Sequence, residues 1–291
     1  MDDSRLLAEA RKGYAYEKNP LVSVCIPTFN RGKLLAERTI PSVLRQTYRN
    51  FEIVIVGDGC TDDTAKRLRA LGDSRIRFHN FKKRSSYPAD PLERWCVAGV
   101  PPLNAAIDMS LGRWIAPMGD DDEFLPNHIE ALLRFAQKND LELAYGAADA
   151  EGEPESWKRI GEYPPKQGQI TDSAVMYRSE LRCFKYDEEC WRTRTPSDWA
   201  LFSRMIRAGV RVGFLDMVIT RHHFSKRRPL KQMRRHLELQ EIERLRREIE
   251  EYKEREKRYR PARRLYDALT NPVDAARKIK KRIMKRAPRG I

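Results

Sequence analysis

The sequence has no long apolar run, no paired cysteine motif and no apolar leader. No stretch approaches the roughly 18 residues that a membrane-spanning helix needs, and the opening Met-Asp-Asp-Ser-Arg predicts no secretory signal. The five cysteines are an odd number without a CxxC pair, which disfavours a disulfide scaffold or a structural zinc site. These absences predict a cytoplasmic protein with reduced thiols.

Positive charge is abundant, but it is concentrated at one end of the chain. The 291 residues include 57 Lys and Arg against 42 Asp and Glu, a formal net charge of +15. Residues 225–291 contain 24 basic and 10 acidic side chains, whereas residues 1–224 contain 33 and 32. No recognised nucleic-acid-binding module accompanies the charge, so nucleic acid is not an expected partner.

Apolar and polar segments alternate in a way that predicts an α/β fold. Strands are predicted at 21–26, 51–56, 76–78 and 113–117, with helices at 31–46, 62–71, 103–110 and 126–138 and a long loop at 82–102. This order is typical of a parallel sheet with helices on its faces. Further strands are predicted at 141–147, 174–178, 210–214 and 217–220, and a helix at 198–208.

We therefore predict a lead-in at 1–20, an α/β domain at 21–224, a charged helix at 225–260 and a basic tail at 261–291. Three interpretations of the last two segments stay open. They form a solvated helix with a charged terminus, or bind an anionic membrane surface through the tail, or make a homo-oligomer through the apolar stripe from Ile242 to Tyr252. A membrane contact would make the protein peripheral on the inner face of the membrane.

Two loops at predicted strand ends are candidates for binding a nucleotide. Pro27-Thr28-Phe29-Asn30-Arg31 follows the first strand, and Gly57-Asp58-Gly59 follows the second. In open α/β sheets ligands bind at the carboxyl ends of the strands, and Asp58 can accept hydrogen bonds from a base or ribose. A turn-forming aspartate is the alternative. No GxGxxG or GxxxxGK[ST] motif occurs, so a dinucleotide or P-loop site finds no support.

Three consecutive carboxylates follow the strand at 113–117. Asp120, Asp121 and Asp122 repel one another unless a cation lies between them, and Mg²⁺ or Mn²⁺ takes one or two carboxylates plus phosphate oxygens. The alternative is a helix N-terminus enriched in Asp before Pro126. The pattern favours a metal site.

A fourth segment begins a helix with Ser197-Asp198-Trp199 and is followed by His222-His223. Taken alone, Asp198 is an ordinary helix cap and the two histidines are structural or exposed. In this order, however, the four segments resemble the family 2 glycosyltransferases, inverting enzymes with the GT-A fold. That fold implies a mixed, mostly parallel central sheet. The resemblance covers roughly residues 21–224 and depends on the ordered set of motifs, including Leu103-Asn104-Ala105-Ala106-Ile107.

The resemblance implies a role for each matching residue. Pro27, Thr28, Phe29, Asn30, Arg31, Asp58, Asn104 and Asp120 match nucleotide-binding positions. Asp121 and Asp122 match metal ligands, with His222 or His223 as a further metal or diphosphate contact. Asp198 matches the general base, and Trp191 and Trp199 are candidates for acceptor binding by stacking on sugar rings.

The family further implies a nucleotide-sugar donor, for which a UDP-sugar is favoured, and Mn²⁺ or Mg²⁺ as cofactor. It implies a glycan or lipid-linked acceptor in cell-envelope or exopolysaccharide synthesis. Three positions depart from the pattern of many members: Gly57, Gly119 and Leu103. The last leaves a basic diphosphate contact to be supplied from elsewhere, with Lys82, Lys83 or Arg84 as candidates. The departures keep open a non-catalytic sugar-nucleotide-binding protein with the same fold.

Overall fold

A computed structural model describes residues 2–151, 156–223, 246–247 and 250–251. The chain divides into two units, residues 1–229 and 230–291. In the second unit, residues 246–247 and 250–251 are helical. The rest of the predicted charged helix, the apolar stripe and the basic tail lie outside the described residues, so their membrane and oligomer roles stay predictions. No helix among the described residues has the length and apolar character needed to cross a bilayer.

Eight α-helices and nine strands are found in the described part of the first unit. The helices are α1 Asp3–Lys12, α2 Gly32–Leu34, α3 Ile40–Leu44, α4 Thr64–Ala70, α5 Pro91–Val97, α6 Val100–Met109, α7 His128–Lys138 and α8 Ser197–Ala208. The strands are β1 Val22–Thr28, β2 Phe51–Gly57, β3 Ile76–Asn80, β4 Trp114–Pro117, β5 Glu123–Phe124, β6 Leu143–Glu151, β7 Trp157–Ile160, β8 Val175–Arg178 and β9 Val212–His222.

The strands form one mixed sheet in the order β3-β2-β1-β4-β8-β6-β9-β5, with β7 paired to β6. The β3-β2-β1-β4 half is parallel throughout. In the other half β8 runs antiparallel to β4 and β6, β9 runs parallel to β6, and β5 runs antiparallel to β9. The α/β class predicted from the alternating pattern is confirmed, as is the mixed, mostly parallel sheet that the family resemblance implies.

Two apolar cores cover the two faces of the sheet because its central strands are apolar at nearly every position. In β1, Val22, Val24 and Ile26 pack with α3 and α7, whereas Cys25 packs on the opposite face with α6 and α8. All five cysteines are free thiols. The helix α1 closes the second of these cores with Leu7, which is buried.

The helical segment from residue 32 to 44 is interrupted by a π-helical turn, Leu35–Thr39. Pro41 follows this turn closely. A proline has no N–H to donate back along the helix, and a π-turn is a common local adjustment, frequent at functional sites. The helix before Pro41 therefore widens into this π-helical turn, which carries Arg38 and Thr39.

Several boundaries differ from the sequence-based expectation. The predicted loop at 82–102 is wrong in its second half, where α5 and the start of α6 lie. Asp90 caps α5 by accepting from the N–H groups of Leu92 and Glu93, and Pro91 occupies its first turn. The two strands expected at 210–214 and 217–220 form the single strand β9, whose pairing with β6 shifts register. The short strands β5 and β7 have no counterpart in the prediction, since two to four residues carry little periodicity.

Glu52 joins four segments at the end of the sheet opposite the strands' carboxyl ends. Its buried carboxylate accepts from Ser23 Oγ at 2.7 Å, from the Leu111 N–H at 2.6 Å and from Arg77 Nη1 at 2.6 Å. Burial acts to raise the pKa of Glu52, but these three hydrogen bonds outweigh it and hold the pKa below its ordinary value of 4.5. The ionised form is therefore the one that the fold stabilises.

Replacing this carboxylate tests its contribution. We expect Glu52→Gln to lower the free energy of unfolding by about 2 kcal/mol at pH 7, because a charge-assisted acceptor is lost in a buried position. The Glu52 contribution is present above the ordinary pKa of 4.5 and disappears as the pH falls through the lower folded-state pKa. Denaturant unfolding at pH 7 and at acid pH measures both effects. Glu9→Gln, at an exposed residue paired with Lys12, is the control; an equal loss in the control would contradict the assignment.

Candidate active site

The carboxyl ends of β1, β2 and β4 lie side by side and carry the residues singled out from the sequence. Thr28, the last residue of β1, is level with Gly57, the last residue of β2. On the other side of β1, Cys25 is level with Pro117, the last residue of β4. The loops after these strands therefore meet at one edge of the sheet, where ligands of open α/β sheets bind.

Asn30 fastens the first of these loops to the second. Its φ of 50° is in the left-handed region, which asparagine tolerates better than most residues. The side-chain oxygen accepts from the N–H of Thr61 at 2.8 Å and of Asp62 at 3.3 Å. Asn30 thus fixes the position of the loop after β1 relative to the loop after β2. Beside it, the ring of Phe29 lies 3.9 Å from the guanidinium carbon of Arg84, a cation–π distance.

Asp58 is buried and faces the segment after β3. Its Oδ1 accepts from the N–H and the hydroxyl of Ser85 at 2.9 and 2.6 Å, and its Oδ2 accepts from the hydroxyl of Tyr87 at 2.8 Å. Burial, with the charge of Asp58 beside it, raises the pKa of the Tyr87 phenol. Arg84 Nε lies 3.9 Å from the same carboxylate. Of the three basic candidates at 82–84, Arg84 is thereby placed at the Asp58 end of the site.

The departure at Gly57 has a packing explanation. A Cβ on Gly57 would lie 2.4 Å from the side-chain oxygen of Asn80. That oxygen accepts from the N–H of Cys60 at 2.8 Å, and the Asn80 amide donates to the Cys60 carbonyl at 2.9 Å. The Asn80 side chain thus occupies the space that a residue-57 side chain would need.

The aspartate triplet divides into two parts, of which the first is Asp120 and Asp121. Arg31 Nη1 donates to Asp120 Oδ1 and to Asp121 Oδ2, both at 2.8 Å. The second carboxylate oxygen of Asp120 accepts from Thr28 Oγ1 at 2.8 Å. The backbone carbonyl of Asp120 accepts from Thr39 Oγ1 at 3.0 Å. Two carboxylates therefore converge on one cationic nitrogen.

Arg31 offsets this negative charge only in part. Burial, opposed by Arg31 and reinforced by the charges of Asp121 and Asp122, raises the pKa of Asp120 to about 6. A carboxyl group whose pKa is raised this far from its ordinary value of 3.8 lies where additional positive charge is stabilising.

Asp122, the third member, faces the other way. Its Oδ2 accepts from the hydroxyl of Ser173 and lies 2.9 Å from His222 Nδ1, and its Oδ1 accepts from the His223 N–H at 3.0 Å. Burial acts to raise the pKa of Asp122, but His222 and these hydrogen bonds lower it overall. A Cβ on Gly119 would lie 2.9 Å from Asp122 Oδ2, so the departure at Gly119 makes room for this carboxylate.

The His223 ring lies between two carboxylates and an arginine. Its Nε2 is 3.0 Å from Glu123 Oε2, and its Nδ1 is 3.2 Å from Arg38 Nη1 and 3.5 Å from Glu151 Oε2. Arg38 comes from the π-helical turn, about two helical turns after Arg31. The guanidinium groups of Arg31 and Arg38 thus contact the triplet or the side chains beside it.

The donor atoms fit a divalent cation that uses one or two carboxylates. Within the described residues no group of three or more His, Cys, Asp and Glu side chains is arranged to hold a metal ion. Asp120 and Asp121 nevertheless converge on a single point, filled by Arg31 Nη1, and magnesium needs only one or two protein carboxylates beside phosphate oxygens. Asp122, His222 and His223 are already joined to one another, and Asp122 also to Ser173.

Asp198 lies in the first turn of α8, where its Oδ1 accepts from the Trp199 N–H at 2.6 Å. Trp191 and Trp199 are both half-buried against the core that α8 covers. Near Asp198 lies Asp172, a half-buried residue whose carboxyl group accepts from the Tyr186 hydroxyl at 2.6 Å. Burial, followed by the charge of Asp198, raises the pKa of Asp172 well above its ordinary value.

Asn104 has a different set of partners from the other nucleotide-binding candidates. Its amide donates to the Tyr186 carbonyl at 3.0 Å and its oxygen accepts from the Tyr186 N–H at 3.1 Å. The preceding residue, Leu103, is buried in the core. Asn104 therefore joins α6 to the segment at Tyr186.

Sequence reasoning missed several site residues: Arg38, Ser85, Tyr87, Glu151, Asp172 and Ser173. Arg38 had a usable signal, because it lies seven residues after Arg31 on the same face of a predicted helix. The others come from segments without periodicity, and nothing local marks them as partners of residues far away along the chain.

Comparison with known proteins gives a consistent picture. The family model for glycosyl transferase family 2 matches residues 23–89 and 102–196, more than half of the chain. The putative colanic acid biosynthesis glycosyl transferase WcaA of Escherichia coli K12 is 37% identical over 125 residues, covering 42% of this chain and 40% of WcaA. The E. coli enzyme WfgD, a UDP-Glc:α-D-GlcNAc-diphosphoundecaprenol β-1,3-glucosyltransferase, is 29% identical over 126 residues, covering 43% of this chain and 45% of WfgD.

The fold matches a solved structure over a longer stretch. The crystal structure of S. aureus TarS 1–349 in complex with UDP-GlcNAc superposes with a TM-score of 0.56 at 16% identity, covering 70% of this chain and 59% of that one. This likeness confirms the expected GT-A fold. The chain spans less than half the length of the two curated relatives named above.

The packing at Gly119 can be tested by adding one methyl group. We expect Gly119→Ala to lower the free energy of unfolding by about 1 to 3 kcal/mol, because the new Cβ displaces the Asp122 carboxylate from Ser173 and His222. Thermal or denaturant unfolding measures the change. Gly13→Ala is the matched control, since a Cβ there meets its nearest atom at 3.6 Å. Equal stability of the two variants would show that Asp122 is not held as described.

Proposed function

Since the chain belongs to glycosyl transferase family 2, we propose that it transfers a sugar from a nucleotide-diphospho-sugar to an acceptor hydroxyl with inversion at the anomeric carbon. The observation that carries the proposal is the meeting of three features at one edge of the sheet: the Asp58 contacts, the converging carboxylates of Asp120 and Asp121, and the carboxyl ends of β1, β2 and β4.

The nucleoside end of the donor is assigned to the first two loops. Thr28 and Asp58 lie at neighbouring strand ends, and Pro27, Phe29 and Asn30 shape the backbone between them. Asp58 is an acceptor-only group when ionised, which suits the N–H of a base. Its present partners, Ser85 and Tyr87, would orient the carboxylate toward that base.

The diphosphate end is assigned to Asp120, Asp121 and the two arginines beside them. Arg31 and Arg38 supply the positive charge that position 103 lacks, since guanidinium groups bind phosphate oxygens in pairs. Asp121, with Asp120, would hold Mn²⁺ or Mg²⁺. A divalent cation bound there supplies charge neutralisation for the leaving diphosphate. Asp122 holds the loop at 118–122 in place through its contacts with His222 and His223.

Asp198 is assigned as the general base that takes the proton of the acceptor hydroxyl. One carboxylate and one displacement give inversion, since no covalent intermediate on the protein is formed. Asp172 lies beside Asp198, and burial together with the charge of Asp198 raises the pKa of Asp172, so the two carboxyl groups influence each other's ionisation.

A UDP-sugar is the favoured donor and a glycan or lipid-linked sugar the favoured acceptor. The TarS structure contains UDP-GlcNAc, and WfgD is named for UDP-Glc and for a diphosphoundecaprenol-linked acceptor. WcaA is named for colanic acid biosynthesis. These support a role in cell-envelope or exopolysaccharide synthesis at the cytoplasmic face of a membrane.

The alternative is a non-catalytic protein that binds a sugar nucleotide in the same fold. Its motivation is the set of departures at Gly57, Gly119 and Leu103. The packing of Asn80 and Asp122 accounts for the first two, and the arginines at 31 and 38 can replace a basic residue at 103. The catalytic proposal is therefore favoured.

The metal assignment is tested at Asp121. We expect Asp121→Ala to abolish the Mn²⁺-dependent part of UDP binding, because only Asp120 is then left on the convergent point. Titration calorimetry with UDP, with and without Mn²⁺, measures the change. Asp108→Asn, at an exposed residue paired with Lys185, is the control. An Asp121→Ala protein with the wild-type affinity for UDP in Mn²⁺ would exclude the assignment.

The base is tested at Asp198. We expect Asp198→Asn to bind UDP as the wild type does but to lose transfer by a factor of about 100 or more, the usual contribution of a positioned general base. UDP release from UDP-glucose and UDP-GlcNAc in the presence of an acceptor panel measures transfer, and calorimetry measures UDP binding. Full transfer by this variant would remove Asp198 as the base.

A further inference from the structure

One face of the sheet beside the candidate active site carries an exposed tryptophan among charged side chains. Trp157 on β7 is 46% exposed, which is unusual for the largest apolar side chain. It is the cross-strand partner of Glu151 on β6. Its ring meets the ring of His223 edge-on, with centroids 5.2 Å apart.

Strand register places charged residues next to this tryptophan. Asp149 on β6 is paired with Arg159 on β7 and with Arg221 on β9. Since side chains alternate along strands, Asp149 and Glu151 point to the same face. We call this set the Trp157 face: Asp149, Glu151, Trp157, Arg159, Arg221 and His223.

The Trp157 face is continuous with the proposed active site. His223 belongs to it and also contacts Glu123 and Arg38, and its N–H donates to Asp122. The next strand, β5, pairs Glu123 with Arg221. The face therefore runs from the aspartate loop outward across β5, β9, β6 and β7.

The Trp157 face also lies on the side of the sheet that α8 covers. Leu143 and Tyr145, two steps apart on β6, pack into the same core as Leu201 and Phe202 of α8. Asp149 and Glu151 continue that alternation beyond the end of the core. The proposed base Asp198, in the first turn of α8, is thus on the same side of the sheet.

We propose that the Trp157 face binds the acceptor sugar, with a pyranose ring stacked on Trp157. A pyranose has an apolar C–H surface and a rim of hydroxyl groups. An exposed indole packs against the apolar C–H surface. For the hydroxyl groups, the adjacent Glu151 supplies a hydrogen-bond acceptor and Arg221 supplies donors. The guanidinium of Arg221 lies 5.8 Å from the centre of the Trp157 ring, so it is close enough to reach the hydroxyl groups of a sugar stacked on that ring. Trp191 and Trp199, half-buried in the core, offer less ring surface.

This proposal rests on the proposed function for the identity of the sugar as acceptor, but sugar binding can be measured without turnover. The probes are methyl β-D-glucopyranoside, methyl β-D-galactopyranoside and methyl N-acetyl-β-D-glucosaminide, examined by saturation-transfer NMR on the full chain with UDP present. We expect ring-proton signals from at least one of them in the wild type. Trp157→Ala should weaken binding about tenfold, and Trp157→Phe should retain most of it.

Control variants distinguish the loss of a specific sugar contact from the loss of any exposed aromatic side chain. Tyr16→Ala removes another exposed aromatic, near the opposite end of the strands, and should leave the sugar signals unchanged. Arg221→Gln is a second substitution on the Trp157 face and should also weaken sugar binding. It replaces Trp157→Ala in the test if circular dichroism shows that the alanine variant is unfolded. UDP signals should be the same in every folded variant.

The outcomes are distinct. Undiminished sugar signals in folded Trp157→Ala, or in Arg221→Gln where the alanine variant does not fold, would overturn the proposal. So would the absence of any sugar signal in a wild type that binds UDP. A wild type that binds sugar at Trp157 but neither binds UDP nor transfers sugar would refute the proposed function and leave a carbohydrate-binding face.

Discussion

Parallel pairing of β1 with both β2 and β4 is the constraint on which the candidate active site depends. It brings three carboxyl ends to one edge, so loops 29–31, 58–62 and 118–122 meet although up to 93 residues separate them along the chain. Asn30 closes onto the second loop and Arg31 onto the third. The apolar character of the central strands enforces this pairing, because strands buried on both faces are stable only inside a sheet covered by helices.

The aspartate triplet shows how a run of like charges is divided by its surroundings. Asp120 and Asp121 accept hydrogen bonds from the guanidinium of Arg31, whereas Asp122 points away from it and contacts Ser173 and His222. Placing three carboxylates side by side, with Asp122 buried, is costly unless each finds positive charge or hydrogen bonds. The π-helical turn contributes here, because it carries both Thr39, which holds the Asp120 carbonyl, and Arg38, which reaches His223.

The sequence was most informative where apolar runs end in polar loops. The strands predicted at 21–26, 51–56 and 113–117 correspond to β1, β2 and β4, although β1 continues through Pro27 to Thr28. Strand-end chemistry marked the loops after them as a candidate site. Helix α5 was not, since its Pro- and charge-rich start is typical of a loop and only the Asp90 cap with the buried Leu92 makes it helical. Arg38 was within reach of a periodicity argument. Trp157 was not, because four residues of β7 carry no clear alternation.

The order of the elements and the chemical groups at the strand ends follow from the sequence alone, because hydrophobic periodicity and turn residues act over short distances along the chain. Which of these groups face one another depends on how the chain packs in three dimensions. Asp122 meets Ser173 and His222, Asp58 meets Tyr87, and Trp157 meets His223. Such partners come together through strand register and core packing, and both depend on contacts between segments tens of residues apart. The division between a donor site and the Trp157 face is therefore a property of the folded sheet.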